Sequence, residues 1–189
     1  MWRLSRPTPE DVRRHLDRQR QLPFSYDAVG ATRERRAPAG FERDHNRELL
    51  GSGAQVFAAA QAALRAWAMF APPLAWIEPP GIPIAPGEVV GVVAHALGLW
   101  WLNAARIVYV IDEPRRSGFA YGTLPGHVER GEERFSVEWL EDDTVWYDLE
   151  AFSRPGYWGA RLARPLARRL QRRFARLSKA AMRDAAHGR

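Results

Sequence analysis

The chain has 189 residues, 46% of them hydrophobic and 26% charged, with no cysteine and a formal net charge of +6. That length and apolar content suffice for one domain that buries most of its apolar surface, while the missing cysteines exclude a disulfide framework and thiolate metal sites. The opening MWRLSRPTPEDVRRHLDRQRQLPFSYD carries charge throughout, and apolar runs elsewhere break within about a dozen residues, short of the roughly 20 that span a bilayer. A cytoplasmic protein is expected.

Of the 28 basic residues all but Lys179 are arginine. The positive balance invites a polyanionic partner. An Ala- and Arg-rich chain nearly empty of lysine is also what a GC-rich genome encodes, so both explanations stand.

In chain order, Thr8-Pro9-Glu10-Asp11 places a capping residue, a proline at the first helical position and acids in the first turn. A helix to about Arg20 follows, in an N-terminal extension over residues 1–21 that precedes the main domain of 22–185. YDAVGAT (Tyr26 to Thr32) reads as a first strand and RERRAPAG as a loop. SGAQVFAAAQAALRAWAMFA pairs Ser52 with Gln55 in a capping-box pattern. Its Phe57, Ala60, Leu64, Trp67 and Ala71 recur at helical spacing, so a helix is expected up to Pro72-Pro73.

Six strand-like runs come next: LAWIE, EVVGVVAHAL, ARIVYVID, GFAYGTL, HVERGEERFSVEWL and TVWYDLEAF. Turn signals separate them at Pro79-Pro80-Gly81, Gly98, Pro114, Pro125-Gly126 and Glu141-Asp142-Asp143. Loops this short favour antiparallel hairpins. After Pro155-Gly156 a long helix shows an apolar stripe of Leu162, Leu166, Leu170, Phe174, Leu177 and Ala181, with Arg161, Arg164, Arg168, Arg169, Arg172 and Arg176 largely off it. Pro165 marks a kink or a later start, and residues 186–189 are expected as a disordered tail. Both the sheet and the helix have an apolar face to bury. The expected fold is α+β, a helix-grip in which a curved seven-stranded antiparallel sheet wraps the long C-terminal helix and encloses space between them.

The motifs DAVGATR, DHNRELLGSG, LGLWWLNAARIVYVIDEP, FAYGTLPGHVERGEERFSVEW, VWYDLEAFSRP and LQRRFAR together resemble the uncharacterised protein family numbered 0548, small bacterial and plant proteins, over about residues 22–185. That family is similar to the START and birch-pollen-allergen type of helix-grip proteins. The resemblance implies a central cavity for hydrophobic or amphipathic small molecules, in a group some of whose relatives are cyclases or dehydratases. It implies the fold directly and the function only by analogy.

The stretch GFAYGTLPGHVERGEERFSVEW, Gly118 to Trp139, carries the richest chemistry. Pro125 and Gly126 suit a type II turn. Beyond it His127, Glu129, Gly131, Glu133, Phe135, Val137 and Trp139 share one strand face, which the last three identify as the core. A three-residue loop pairing Leu140 with Thr144 adds Val145, Tyr147 and Leu149 to that face and sets Arg134 opposite Glu150 outside, as a cross-strand ion pair. A two-residue hairpin sets Leu124, Gly122 and Ala120 opposite this segment, leaving room above Glu129. A buried carboxylate needs a donor, a water or a ligand, and His127, Arg106 and Tyr147 are candidate partners. Three readings stand: a wet hairpin end, an internal polar network, or a binding or catalytic site. A bulge at Gly131 would reverse His127 and Glu129 relative to Phe135.

Tyr121 on the preceding strand joins the candidate lining. His95 shares a strand face with Val89, Gly91, Val93 and Leu97 and is expected inside, as a hydrogen-bonded core residue or a catalyst. Arg106 and Tyr109 fall on opposite faces, so without a bulge at most one is internal. His45 and Arg47 in DHNR either cover a cavity mouth or anchor the chain. In GLWWLN, Trp100 and Trp101 either pack against the helix starting at Ser52 or mark a partner surface or ligand entry. The five histidines are scattered without ligand spacing, so no metal is expected. Gly51-Ser52-Gly53 lacks both nucleotide fingerprints, and no cofactor is expected.

The leading expectation is binding of an apolar or amphipathic small molecule, with Phe135, Val137, Trp139 and Tyr147 as walls and His127 and Glu129 as polar anchors. The second is an enzyme of the same architecture in which Glu129 or His127 moves a proton on a carbonyl or hydroxyl compound. The third is nucleic-acid or anionic-surface binding through Arg168, Arg169, Arg172 and Arg173; it is disfavoured because no aromatics are interleaved with them to stack bases.

Overall fold

Strand-forming runs fill the second half of the chain, and in the computed structural model, which describes residues 2–70, 74–156 and 164–188, they close into one antiparallel sheet. The elements are β1 (Trp2–Arg3), α1 (Pro9–Gln19), a 3-10 turn (Ala31–Glu34), β2 (Glu42–Ser52), α2 (Gly53–Arg65), β3 (Ala75–Glu78), β4 (Val89–Ala96), β5 (Leu99–Glu113), β6 (Arg116–Thr123), β7 (Glu129–Trp139), β8 (Thr144–Pro155) and α3 (Arg164–Ala186). Seven strands run in the order β2-β8-β7-β6-β5-β4-β3, and the short β1 pairs with the start of β5. Helices α2 and α3 pack on one face, where Phe57, Leu64, Met182 and Ala186 join Phe119, Phe135, Val137 and Tyr147 in the main core.

The strand count agrees with the sequence reading, but one member differs. Tyr26 to Thr32 is not a strand: Gly30 takes φ +90, the chain enters the 3-10 turn, and Tyr26 and Thr32 turn their polar groups to Glu132. The seventh strand is instead β2, which contains DHNR. Its inward positions Asp44 and Glu48 are charged, so the two-residue hydrophobic alternation that marks a half-buried strand is missing. Those carboxylates are answered across the gap by Arg168, Lys179 and Arg183 of α3.

Thr8 caps α1 as expected, and it does so in a capping box with Asp11; the helix packs Val12 and Leu16 on the outer face of the sheet against Val89, Val93 and Leu102. Helix α2 begins after Ser52 but without a side-chain cap, and it ends at Arg65, short of Pro72-Pro73, which lie outside the described residues. The chain reverses at Trp67, whose φ is +58 and whose indole donates to the Ile82 carbonyl.

On α3 the stripe lies slightly off its expected position. Ala175, Ser178, Met182 and Ala186 are fully buried, while Leu170, Phe174, Leu177 and Ala181 flank them half-buried. The helix persists through Ala186, one residue into the expected tail. Arg161 and Leu162, and the side chains of Arg164 and Leu166, lie outside the described residues. Among the described residues no helix is long and apolar enough to cross a membrane.

Candidate ligand cavity

The strand register sorts the inner face into cross-strand rows, and their content changes stepwise toward one end of the sheet. Leu149, Phe135 and Phe119 lie side by side on β8, β7 and β6, buried, with Leu149 at the cavity's edge and Phe135 touching Phe70, Phe119 and Tyr121 at ring-centre distances of 5.4–5.5 Å. One step along, the row reads Asp44, Ala151, Glu133, Tyr121 across β2, β8, β7 and β6. The next reads Glu42, Ser153, Gly131. Ala151, Ser153 and Gly131 fill little volume, so packing fails there. A cavity of about 350 Å³ opens between these rows, Leu170, Phe174 and Ala175 of α3, and Ala94, Trp101 and Asn103 of β4 and β5.

Gly131 is required by this arrangement. Its φ is +155, and a Cβ at that position would run into the carbonyl oxygen of Phe152 on β8. The β7–β8 register runs through it without a shift, so Glu129 stays on the same face as Glu133. With β6 the pairing is Gly122 opposite Glu132, three residues displaced from a two-residue hairpin. Thr123 bridges the displaced segment through its hydroxyl, accepting from Gly131 N–H and donating to the Gly131 carbonyl. Pro125-Gly126 still makes the turn, with Gly126 at φ +83 and His127 N–H donating to the Leu124 carbonyl.

Two carboxyl groups of β7 face the cavity, beside Asp44 of β2. Glu133 accepts a 2.6 Å hydrogen bond from Tyr121, and Glu129 accepts one of 2.5 Å from Gln171 of α3 and another from Ser153. Burial pushes the Glu133 carboxyl up to about 7, reinforced by the negative charges of Glu129 and Asp44 and opposed by the Tyr121 hydrogen bond. Burial also raises Glu129, and the Tyr121 phenol is held well above its usual range for the same reason. His127 lines the cavity half-buried; its Nδ1 accepts from Glu129 N–H, and burial pulls the imidazole down to about 3, so the ring is neutral near pH 7. Arg168 at the rim is engaged by Glu42 at 2.5 Å and Asp44 at 3.5 Å.

The structure thus brings Tyr121, His127, Glu129 and Glu133 together, and it separates the other candidates. Phe135, Val137 and Tyr147 are sealed in the core rather than lining the cavity, and Tyr147 hydrogen-bonds Ser178 at 2.8 Å. Trp139 packs on Phe57 at the opposite end of β7. His95 is on the outer face, exposed and stacked on Trp100 at 4.3 Å, because Val90, Val92 and Ala94 take the inward positions of β4. Arg106 is also outside, donating to the carbonyls of Gln19, Arg20 and Leu22 at the end of α1. A register shift between Ile107 and Tyr109 places Tyr109 on that same side, hydrogen-bonded to Thr32. Strand alternation splits the two tryptophans: Trp101 lines the cavity, and Trp100 packs outside on Trp76, beneath Arg6, and not on α2.

His45 and Arg47 belong to a polar layer on the outer face that the sequence reading missed. Arg134 and Asp148, both fully buried, form a 2.7 Å ion pair, and Arg134 also donates to the Thr32 carbonyl. Arg134 does stand opposite Glu150 in register, but Glu150 pairs with Arg43. Glu132 gathers Tyr26, the Gly30 and Thr32 N–H groups and the Thr32 hydroxyl, fastening the segment before β2 over the sheet. His45 lies 2.9 Å from Asp148. Burial pushes Asp148 up, yet its bonds to His45 and Arg134 hold it below the usual carboxylate range. Together His45, Asp148 and Glu150 offer three ligand atoms within 4.8 Å of one another, but Arg134 and Arg43 already bond these carboxylates and supply the charge a metal ion would. Gln171, Ser153 and Asp44 were the other omissions; Gln171 is a single polar residue beside the α3 stripe.

A curved antiparallel sheet gripping a C-terminal helix over an interior cavity defines a helix-grip protein. The chain belongs to the UPF0548 family: the family model described as "Domain of unknown function (DUF1990)" matches residues 25–181. It is 38% identical over 189 residues to a UPF0548 protein of Deinococcus radiodurans, covering 93% of this chain and 94% of that one. A UPF0548 protein of Dictyostelium discoideum is 32% identical over 197 residues, covering 92% and 90%. Among solved structures, Ara h 8.0201 superposes with a TM-score of 0.53 at 15% identity, over 79% of this chain and 100% of that one. BexL, a di-domain ARO/CYC protein from the BE-7585A biosynthetic pathway, gives 0.51 at 17% identity, over 80% of this chain and 52% of that one. At these identities the likeness is one of fold.

Proposed function

We propose that the protein binds an amphipathic small molecule in this cavity, with the apolar body against Leu149, Phe174 and Trp101 and the polar end at Glu133, Tyr121 and Glu129. The observation that carries the reading is the row Asp44–Ala151–Glu133–Tyr121, where the packed core gives way to open volume beside a carboxyl group bonded to one phenol. An apolar concavity with a few convergent polar groups is the usual form of a small-molecule site. Native mass spectrometry of the protein purified from its own host tests it. A stoichiometric adduct that can be extracted and identified is the expected result; a clean apo mass, together with no uptake of octyl-chain probes by calorimetry, overturns it.

A second reading, proton transfer on a bound carbonyl or hydroxyl compound, draws on one further observation. A carboxyl held near 7 beside a tyrosine is poised to give and take a proton at neutral pH. Incubating the adduct compound with the protein in deuterated water reads it directly: exchange of a carbon-bound hydrogen that is lost in Glu133→Gln supports it, and no exchange sinks it.

A further inference from the structure

Resting on the binding reading above, we infer that the polar end of the cavity's ligand is a cation, a protonated amine carried on an apolar body. The argument is a balance of charge around the open volume. From β7, Glu129 and Glu133 face it; from β2, Asp44 does. Against these stands Arg168, and it is already drawn to the rim by Glu42 and Asp44.

Among the described residues two more charges line the cavity, Arg154 and Glu132, and being of opposite sign they leave this balance unaltered. Arg154 lies over the Phe41 ring, 4.5 Å away, and Glu132 is held by Tyr26 and Thr32 beneath the segment before β2. His127 is uncharged near neutral pH. Among the described residues, Glu133 receives one hydrogen bond, from neutral Tyr121, and the charges that act on it are those of Glu129 and Asp44, both negative. Glu129 is bonded by the neutral groups of Gln171 and Ser153, and the opposing charges of Arg168 and Asp44 both act on it.

An anionic head group placed here would add a negative charge beside Glu129, Glu133 and Asp44. With a neutral hydroxyl the buried Glu133 carboxyl stays partly protonated, whereas a cation lets it ionise. An ammonium group supplies the counter-charge and three N–H donors to two carboxyl groups whose donors, among the described residues, are the neutral groups of Tyr121, Gln171 and Ser153. The small side chains of Ala151 and Gly131 leave the approach between the two carboxyls open.

Titration calorimetry with octylamine, octanol and octanoate at pH 8, below their micellar concentrations, tests the inference on the intact protein. Octylamine is expected to bind about tenfold or more tightly than octanol, and octanoate weakest. Glu133→Gln and, independently, Glu129→Gln should each weaken octylamine about tenfold and octanol several-fold less, so that the two affinities converge. Equal affinities, a preference for octanoate, or an amine preference that survives both substitutions overturns the cationic assignment and leaves the binding reading intact. Failure of all three probes to bind overturns both.

Discussion

Tyr121 and Glu133 sit directly opposite one another on β6 and β7, and the phenol donates to the carboxylate at 2.6 Å. Burial lifts the Glu133 carboxyl from 4.5 to about 7. In the unfolded chain the same group loses its proton near 4.5, so between these values the folded state holds more protons. Stability contributed by the neutral form is fully present below about pH 4.5, falls as pH rises through 7 and is then flat, a loss of about 1–3 kcal/mol. Glu133→Gln should remove this slope. His15, packed in α1, is pulled down to about 4 mainly by burial and contributes the opposite trend, stability lost as pH falls from 6.5 through 4. The quantity to measure is therefore the variant-minus-wild-type difference in urea stability against pH. It should grow more favourable to the variant from pH 4.5 to 7; a flat difference contradicts the raised carboxyl.

Arg134 and Asp148 make the second prediction. Neither side chain has exposed surface, and Arg134 ties β7 to the Asp148 carboxylate and to the Thr32 carbonyl. Removing one partner leaves a buried charge without its counter-ion, which costs about 3–5 kcal/mol. Arg134→Met and Asp148→Asn should each destabilise by that order, and the double variant should lose clearly less than the sum. Additive losses in chemical denaturation would mean that the pair is not coupled.

What was legible in the sequence follows from where the physical signal lies. Strands β3 to β8 and the caps of α1 are written in local patterns, apolar alternation or a side chain bonding its own turn, and those expectations held. Strand β2 is written in charges on both faces, since the groups that neutralise Glu48 lie on Lys179 and Arg183, more than 130 residues away. The Glu132 cluster depends on Tyr26 and Thr32 in the same non-local way. Alternation alone set Glu129 and Glu133 on the cavity face, but it could not tell which inward residues meet empty space. Phe135 and Glu133 are two apart on one face; the first is sealed by Phe70 and Phe119, and the second meets the gap left by Ala151.

Arg106 supplies a prediction about α1. Its guanidinium donates to the Gln19, Arg20 and Leu22 carbonyls, joining the Leu22 N–H at the first of these, where a positive charge also meets the negative pole of the helix dipole. Arg106→Met is expected to cost about 1–2 kcal/mol. Hydrogen exchange should accelerate over residues 9–22 while β6 to β8 stay protected. Uniform acceleration across the sheet would show that the anchor is global rather than local.

The cavity itself can be closed without touching a polar group. Ala151 stands between Glu133 on β7 and Asp44 on β2, half-buried, in the row where packing gives way. A phenylalanine there extends into open volume rather than into packed neighbours, so Ala151→Phe should shift stability by no more than about 1 kcal/mol, well below the 1–3 kcal/mol typical of an overfilled core. It should weaken octylamine and octanol alike by about tenfold or more, since lost space costs every ligand, whereas lost charge costs mainly the cation. Calorimetry on Ala151→Phe beside Glu133→Gln separates the two terms. Undiminished binding in the phenylalanine variant would place the ligand elsewhere on the protein.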